Sequence, residues 1–310
     1  MALVSTPIAV AILMLIMIVP SRSSDPVCPP GYPTHETPVT RRDKDLFKFS
    51  LNMEYLEAEF FLWGAFGYGL DRAAPALVNG GPPPAAAQKA NLDSLTEHMI
   101  GEFGLQEIGH IRSIVRTAGG FPRPLMDLSA DNFAKLLDGA FGCKMEPPFD
   151  PYRDPLSYMI GAYALPYLGL VGYVAANPFL VGDISKALLA RLLGVEAGQD
   201  AVIREYLYER AAEVVRPYNH TVAEFTARIS EVNNRLAKCG VKDEGIIVPR
   251  YLGAENRTES NVLSADANSL SYSRTPPELL RILYGTGDEH VPGGFFPEGA
   301  NGKIARDFLS

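Results

Sequence analysis

Three glutamates, Glu54, Glu57 and Glu59, stand inside a segment that is otherwise almost uniformly apolar, NMEYLEAEFF. Around them Leu46, Phe49, Met53, Leu56, Phe60, Trp63 and Phe66 recur at spacings of three and four, the period of an α-helix. Further apolar residues fill the gaps, so the helix is apolar nearly all round and must be buried on most sides. A carboxylate in such surroundings is costly unless it is paired or bound to a metal. The chain therefore has to fold into something whose interior holds polar groups.

The rest of the sequence supplies partners of the same kind. The first helix is expected over residues 43–70, with Asp43 as its N-cap. A connector with GGPPP at its centre leads to a second helix from about residue 91 to residue 118, stopped by Gly119-Gly120. A short amphipathic helix follows at about 128–139. The third long helix, 156–176, is very apolar and is expected to kink at Pro166. Its length and apolarity suit a membrane span, but its tyrosines, its proline and the helix after it favour a bundle core. A fourth helix covers about 183–215. A fifth, more polar one covers 221–238, with Thr221 and Glu224 as a capping box. Beyond residue 239 the chain is rich in Gly, Asn and Pro, and its one clear helix starts at Thr275-Pro276-Pro277-Glu278. That tail has too few periodic apolar residues for a core of its own and is expected to wrap the bundle. No strand alternation is visible. The expected fold is all-α, a four-helix bundle with a crossover, a fifth helix and a long irregular C-terminal extension.

Glu107 and His110 on the second helix are spaced i, i+3 and share one face, so a carboxylate oxygen and an imidazole nitrogen can reach one metal ion. Bundles that bind two iron or manganese ions use this unit twice. The fourth helix holds a related unit, Glu196 and Gln199. The two segments also match at Gly109 and Gly198 and at Ile114 and Ile203. A helical glycine costs about 1 kcal/mol relative to alanine, and its repetition suggests close helix approach beside a site. On the first helix, register puts Glu57 at the height of Glu107 in an antiparallel pair, with Glu54 one turn away on the same face. Glu59 is expected to be solvated. The third helix offers no carboxylate; by height its candidate is Tyr163, with Tyr158 and Tyr167 a turn to either side. Asp200 is a weaker candidate, about 100° round the helix from Gln199. Asp288, Glu289 and His290 form a candidate second site among glycines, for which a docking role is the simpler reading, since adjacent residues seldom chelate one ion. His35, His98 and His220 read as surface residues and Trp63 as core.

Acidic residues outnumber basic ones, 36 to 28, in the 310-residue chain, and the net charge of −8 disfavours nucleic-acid binding. Residues 8–19, IAVAILMLIMIV, are continuously apolar but too short for a spanning helix, which needs roughly 20 residues. With Pro20 and the serines after it, they read as a secretory signal peptide over residues 1–23, followed by a Pro-rich arm over 24–42. An uncleaved anchor is the alternative. Signal cleavage leaves no membrane insertion and predicts a secreted, extracellular or cell-wall protein. Two glycosylation sequons, at Asn219 and Asn256, fit that reading. Cys28, Cys143 and Cys239 permit one disulfide and a free thiol, or three free thiols.

Longer strings carry a more specific signal. LNMEYLEAEFFLWGAFGYGLD, NGGPPP, GFPRPLMDLS, PPFDPY, LLGVEAGQDAVIR and YGTGDEHVPGGFFPEG closely resemble the plant desiccation-related proteins, which have a ferritin-like domain. The resemblance runs from about residue 43 to the C-terminus. It implies a ferritin-like bundle over 43–238, an extension over 239–310, secretion, and accumulation on drying or stress, without a settled reaction. In that frame Glu57 resembles the helix-one ligand, Glu107 and His110 the first Glu-x-x-His unit, and Glu196 the glutamate of the second. Gln199 stands where a histidine would be. The implied cofactor is one or two iron or manganese ions, with a metal-free hydrogen-bonded network as the alternative. The corresponding functions are a protective or metal-sequestering protein and an iron- or manganese-dependent oxidoreductase acting on oxygen, peroxide, ferrous iron or a small metabolite.

Overall fold

The computed structural model describes residues 37–266 and 268–310. The expected signal peptide, most of the expected arm, Cys28 and His35 lie outside the described residues. Among the described residues there is no β-strand, only isolated bridges.

The first helix, α1, spans Arg41–Phe66. It starts earlier than the sequence suggests. Thr40 is the N-cap and Asp43 the third helical residue, the two closing a capping box. Asp43 also accepts from the backbone N–H groups of Val181 and Gly182 and from the Ser185 hydroxyl, which ties the start of α1 to the start of the fourth bundle helix. Gly67, in the left-handed region at φ 72°, ends α1. A single turn, α2 (Leu70–Ala73), follows. Next comes α3 (Ser94–Ala118), capped by Asp93. It runs antiparallel to α1 and close against it: a Cβ at Gly104 would meet the Leu62 backbone nitrogen at 3.0 Å. A long connection carrying α4 (Ala130–Phe141) then crosses the bundle.

The third long helix is broken, not merely kinked. It forms α5 (Pro155–Tyr163) and α6 (Pro166–Ala176). Pro166 has no N–H to give, and the chain restarts the helix there. The stretch Pro155–Phe179 is long and apolar enough to cross a membrane, yet 83% of its most apolar window is buried inside the protein. Its apolarity is that of a core element. α7 (Asp183–Tyr208) completes the bundle and ends seven residues before the expected residue 215. α8 (Val222–Ala237) packs beside α4 and α5, with the expected capping box at Thr221 and Glu224.

The C-terminal extension enters the same core as the bundle. Leu279, Leu280, Ile282 and Leu283 of α9 (Pro276–Leu283) are buried, and the Phe295 ring meets Phe133 edge-on at 5.2 Å. Asn52 of α1 and Asn301, just before α10 (Lys303–Arg306), exchange two 2.8 Å hydrogen bonds. Arg204 of α7 is fully buried. It donates to the carbonyls of Gly245, Asn261 and Val262 and to the Tyr163 hydroxyl, and it faces Asp243 at 3.7 Å. One arginine thus pins the loop after α8 to the bundle.

Candidate metal centre

α1, α3, α6 and α7 meet around a polar centre. Glu54, Glu57, Glu107 and Glu196 are at most 2% exposed, and His110 and Gln199 are 7% and 2% exposed. The His110 Nδ1 atom stands 3.1 Å from a Glu54 oxygen, 3.1 Å from a Glu107 oxygen and 3.2 Å from a Glu196 oxygen. One N–H cannot serve three acceptors. Neither oxygen of Glu57 has a hydrogen-bond partner, and Gln199 Oε1 has none. With these four carboxylates ionised and His110 protonated, three negative charges remain uncompensated in a buried volume. Protons or bound cations must balance them.

The titration behaviour has the same cause. Burial pushes Glu57 and Glu107 well above the usual carboxylate range, and the neighbouring glutamates push them further. Glu196 is raised to about 7, chiefly by burial, with His110 pulling the other way. Burial also raises Glu54, but His110 and its hydrogen bonds outweigh that and hold it below its ordinary value. Burial disfavours the charged form of His110, and its three carboxylate partners more than reverse this.

The donor set fits metal ions. Ligand atoms sharing one ion through bonds of about 2.1 Å stand about 3 Å apart at right angles, the separation seen around His110 Nδ1. Glu54, Glu107, His110 and Glu196 each offer one ligand atom, all within 4.8 Å of one another. Beyond this group Glu57 and Glu196 turn oxygens without hydrogen-bond partners toward α6, and Gln199 Oε1 has no partner either. Glu107 belongs to both sides: one oxygen faces His110 and the other accepts from Gln199 Nε2 at 2.7 Å.

Several sequence readings are redistributed. The helix-one carboxylate beside His110 is Glu54, read as the weaker candidate; Glu57 points to the α6–α7 side. There a Cβ on Gly169 of α6 would stand 2.8 Å from Glu57 Oε1 and 3.3 Å from Glu196 Oε2. The third-helix residues at the centre are therefore Gly169 and Tyr173, whose hydroxyl donates to Glu54 Oε1, and not Tyr163. Tyr158, Tyr163 and Tyr167 bond instead to the Phe60 carbonyl, to Ser230 and Arg204, and to the Lys242 carbonyl. The break at Pro166 shifts the register that a continuous helix would give. Tyr173 carried no signal in the sequence, since a tyrosine on a buried helix reads as core.

Glu59 is not solvated. It is buried, pairs with Arg123 and accepts from the Leu70 N–H; burial lifts it to about 7 against the pull of Arg123. Asp200 lies away from the centre, beside Arg204 and Asp243, and burial raises it to about 6. Gly109 and Gly198 make no close helix approach: no atom lies within 4 Å of where a Cβ would stand. His98 is exposed, whereas His220 is half-buried against the Phe141 ring at 4.7 Å, and Trp63 is half-buried too. At the candidate second site, Glu289 is held by Arg281 through two 2.6 Å bonds and His290 Nδ1 lies 2.6 Å from the Phe308 carbonyl. Those bonds dock the tail and occupy both Glu289 oxygens, while Asp288, Glu289 and His290 still bring ligand atoms within 4.8 Å of one another. Cys143 and Cys239 are exposed and do not pair with each other. Asn219 and Asn256 are exposed.

Comparison with known proteins agrees with this architecture. The ferritin-like domain family model matches residues 42–209. The chain is 64% identical over 286 residues to the ferritin-like catalase Nec2 of Nesocodon mauritianus, covering 92% of each protein. It is 50% identical over 265 residues to the desiccation-related protein PCC13-62 of Craterostigma plantagineum, covering 86% of this chain and 85% of that one. No solved structure gives a significant match. On the bundle, the buried glutamate–histidine centre and these matches, the chain belongs to the plant desiccation-related family of ferritin-like proteins.

Proposed function

We propose that this protein is an extracellular, stress-protective metalloenzyme that disproportionates hydrogen peroxide at the α1–α3–α6–α7 centre. The observation that carries the reading is the buried carboxylate cluster: oxygens of three glutamates crowd one His110 nitrogen, and those of Glu57 and Glu196 have no hydrogen-bond partner. Such groups are destabilising unless a cation completes them. The high identity to a protein named as a ferritin-like catalase supports peroxide as substrate, and the desiccation-related relative supports a role under stress.

Two iron or manganese ions would supply electron cycling by one peroxide and then the next, so that two peroxides give two waters and one dioxygen. The chain's own residues prepare the place. Glu54, Glu107, His110 and Glu196 would hold one ion, and Glu57, Glu196, Glu107 and Gln199 Oε1 the other. Oxygen-rich ligands of this kind suit hard ions such as manganese and ferrous iron. Tyr173 anchors Glu54 through Oε1, which leaves Oε2 facing His110. Gln199 Nε2 orients Glu107. Phe61, Phe103 and the apolar face of α6 exclude bulk water.

Secretion is part of the same proposal. The apolar segment 8–19 supports export, and the exposed Asn219 and Asn256 are open to glycosylation. The acidic net charge speaks against a nucleic-acid partner. Elemental analysis of protein purified without chelators tests the centre, with oxygen release from added peroxide as the activity readout. We expect near-stoichiometric iron or manganese, lost together with oxygen release in His110→Ala. Metal without peroxide turnover would favour sequestration instead. No metal would sink both.

A further inference from the structure

The buried centre needs an entrance, and its least enclosed member is His110 of α3, on the side that meets Glu196 of α7. His110 is 7% exposed, whereas Gln199 and the four glutamates are at most 2%. From this side a chain of polar contacts reaches the surface. Gln199 Nε2 donates to Glu107 Oε1 at 2.7 Å and to Gln106 Oε1 at 3.1 Å. Gln106 Nε2 donates to the exposed Glu102 at 3.2 Å. Gln199 Oε1, itself buried, has no partner.

Three glycines border this line. Gly109 precedes His110, Gly198 precedes Gln199, and Gly194 lies one turn before Gly198 on α7. All are inside helices, where glycine costs about 1 kcal/mol relative to alanine. No atom lies within 4 Å of a Cβ placed at any of them, so close packing does not explain them. The contrast with Gly104 and Gly169, whose Cβ positions are taken by Leu62 and Glu57, is plain. A side chain at 109 would overhang Gln106, because helical Cβ atoms lean toward the N-terminus and cover the preceding turn, and one at 198 would cover the open turn at Gly194 beside Gln199.

We infer that the seam between α3 and α7 is the entrance to the centre, for a divalent metal ion and for small uncharged solutes of peroxide size, and that the Gln106–Gln199 amide pair is its gate. This rests on the metal-centre reading above. Amides suit the task because they offer donors and acceptors without charge, so an entering solute exchanges its water hydrogen bonds for theirs. Gln106 is half-buried and held only by amide and carboxylate contacts, so it can swing aside without disturbing the core. Glycine at the lips keeps the passage low-walled.

The test is the rate of manganese uptake by the metal-free full-length protein, followed by stopped-flow competition with a chelating dye, with bound manganese counted after long equilibration. Leucine is a good helix former, so Gly109→Leu with Gly198→Leu should fold with an undiminished melting temperature. We expect that double variant to reach the parent's final stoichiometry roughly tenfold more slowly. Gln106→Ala should load faster than the parent. Full stoichiometry at the parent's rate in all variants would overturn the gate and leave the metal centre standing. An altered sedimentation coefficient with unchanged loading would overturn it too, by assigning the glycines to a surface contact. A parent that takes up no manganese would remove both readings.

Discussion

A single atom decides much at the centre. The Gly169 Cα faces Glu57 so closely that a methyl group would stand 2.8 Å from a carboxylate oxygen. The oxygen would have to swing away from α6, and Glu196 Oε2, 3.3 Å from the same point, stands beside it. Gly169→Ala should therefore lower bound metal, although alanine favours the helix by about 1 kcal/mol. Inductively coupled plasma analysis of the variant beside the parent reads this directly; full metal content would show that Glu57 is not a ligand. The same change at Gly198, where space is open, should raise the melting temperature slightly and leave metal content untouched. Arg204 sits at the other extreme. It is a buried cation satisfied by three carbonyls, a phenol and Asp243, and Arg204→Ala strips all of these at once. Removing one partner of a buried pair costs about 3–5 kcal/mol, and denaturant unfolding should show a loss of that size.

At the level of elements, the helices were legible because their apolar period was long and their ends carried chemical punctuation. Thr221 with Glu224 and Gly119 act where the sequence says a helix begins or stops, whereas Gly67 ends α1 at Phe66, four residues before the expected residue 70. The break at Pro166 was legible as a kink, but its effect on register was not. A proline announces that a hydrogen bond is missing, not how far the next helix rotates. That rotation brings Gly169 and Tyr173 to the centre in place of Tyr163, and it hid half of the α6 contribution. Glu59 was misread for a related reason: its counter-charge, Arg123, lies 64 residues away on the crossover, beyond any helical period. Glu54, Glu107, His110 and Glu196 were visible because a carboxylate in an apolar helix has few explanations. The tail was legible only as an extension; that α9 would bury four aliphatic side chains depends on the groove it meets. Its outer latch is Arg281 with Glu289, and the arginine holds Glu289 at about 2. A lowered carboxylate contributes stability above its unfolded value of about 4.5 and loses it as pH falls toward 2. Hydrogen exchange between pH 5 and pH 3 should show the 286–310 segment loosening before the bundle. Glu289→Gln should show that loosening already at pH 5. Equal protection in both proteins at both values would mean that the latch contributes nothing.

The whole molecule is a stability compromise around its charged centre, and pH separates the metal-free from the metal-bound form. In the metal-free protein Glu57 and Glu107 are held well above their ordinary values and Glu196 is held at about 7. The folded chain therefore keeps protons that the unfolded chain releases above about pH 4.5. His110 acts in the same sense, since its folded form holds a proton that the unfolded imidazole loses above about pH 6.5. When the native state binds more protons, stability falls as pH rises, by about 1.4 kcal/mol per pH unit for each extra proton. Glu54, lowered instead, acts below pH 4.5 and does not oppose this between pH 5 and pH 8. Divalent ions reverse the sign. They take the places of the protons, bind more tightly as the carboxylates ionise, and stabilise the folded state according to their concentration over Kd. Calorimetric melting with a chelator should thus give a melting temperature that declines from pH 5 to pH 8. With saturating manganese it should hold steady or rise, so that the gap between the two curves widens with pH. Parallel curves would mean that the protons on these glutamates and on His110 are not what the metal displaces, and coincident curves that the centre is a closed polar network needing no cation.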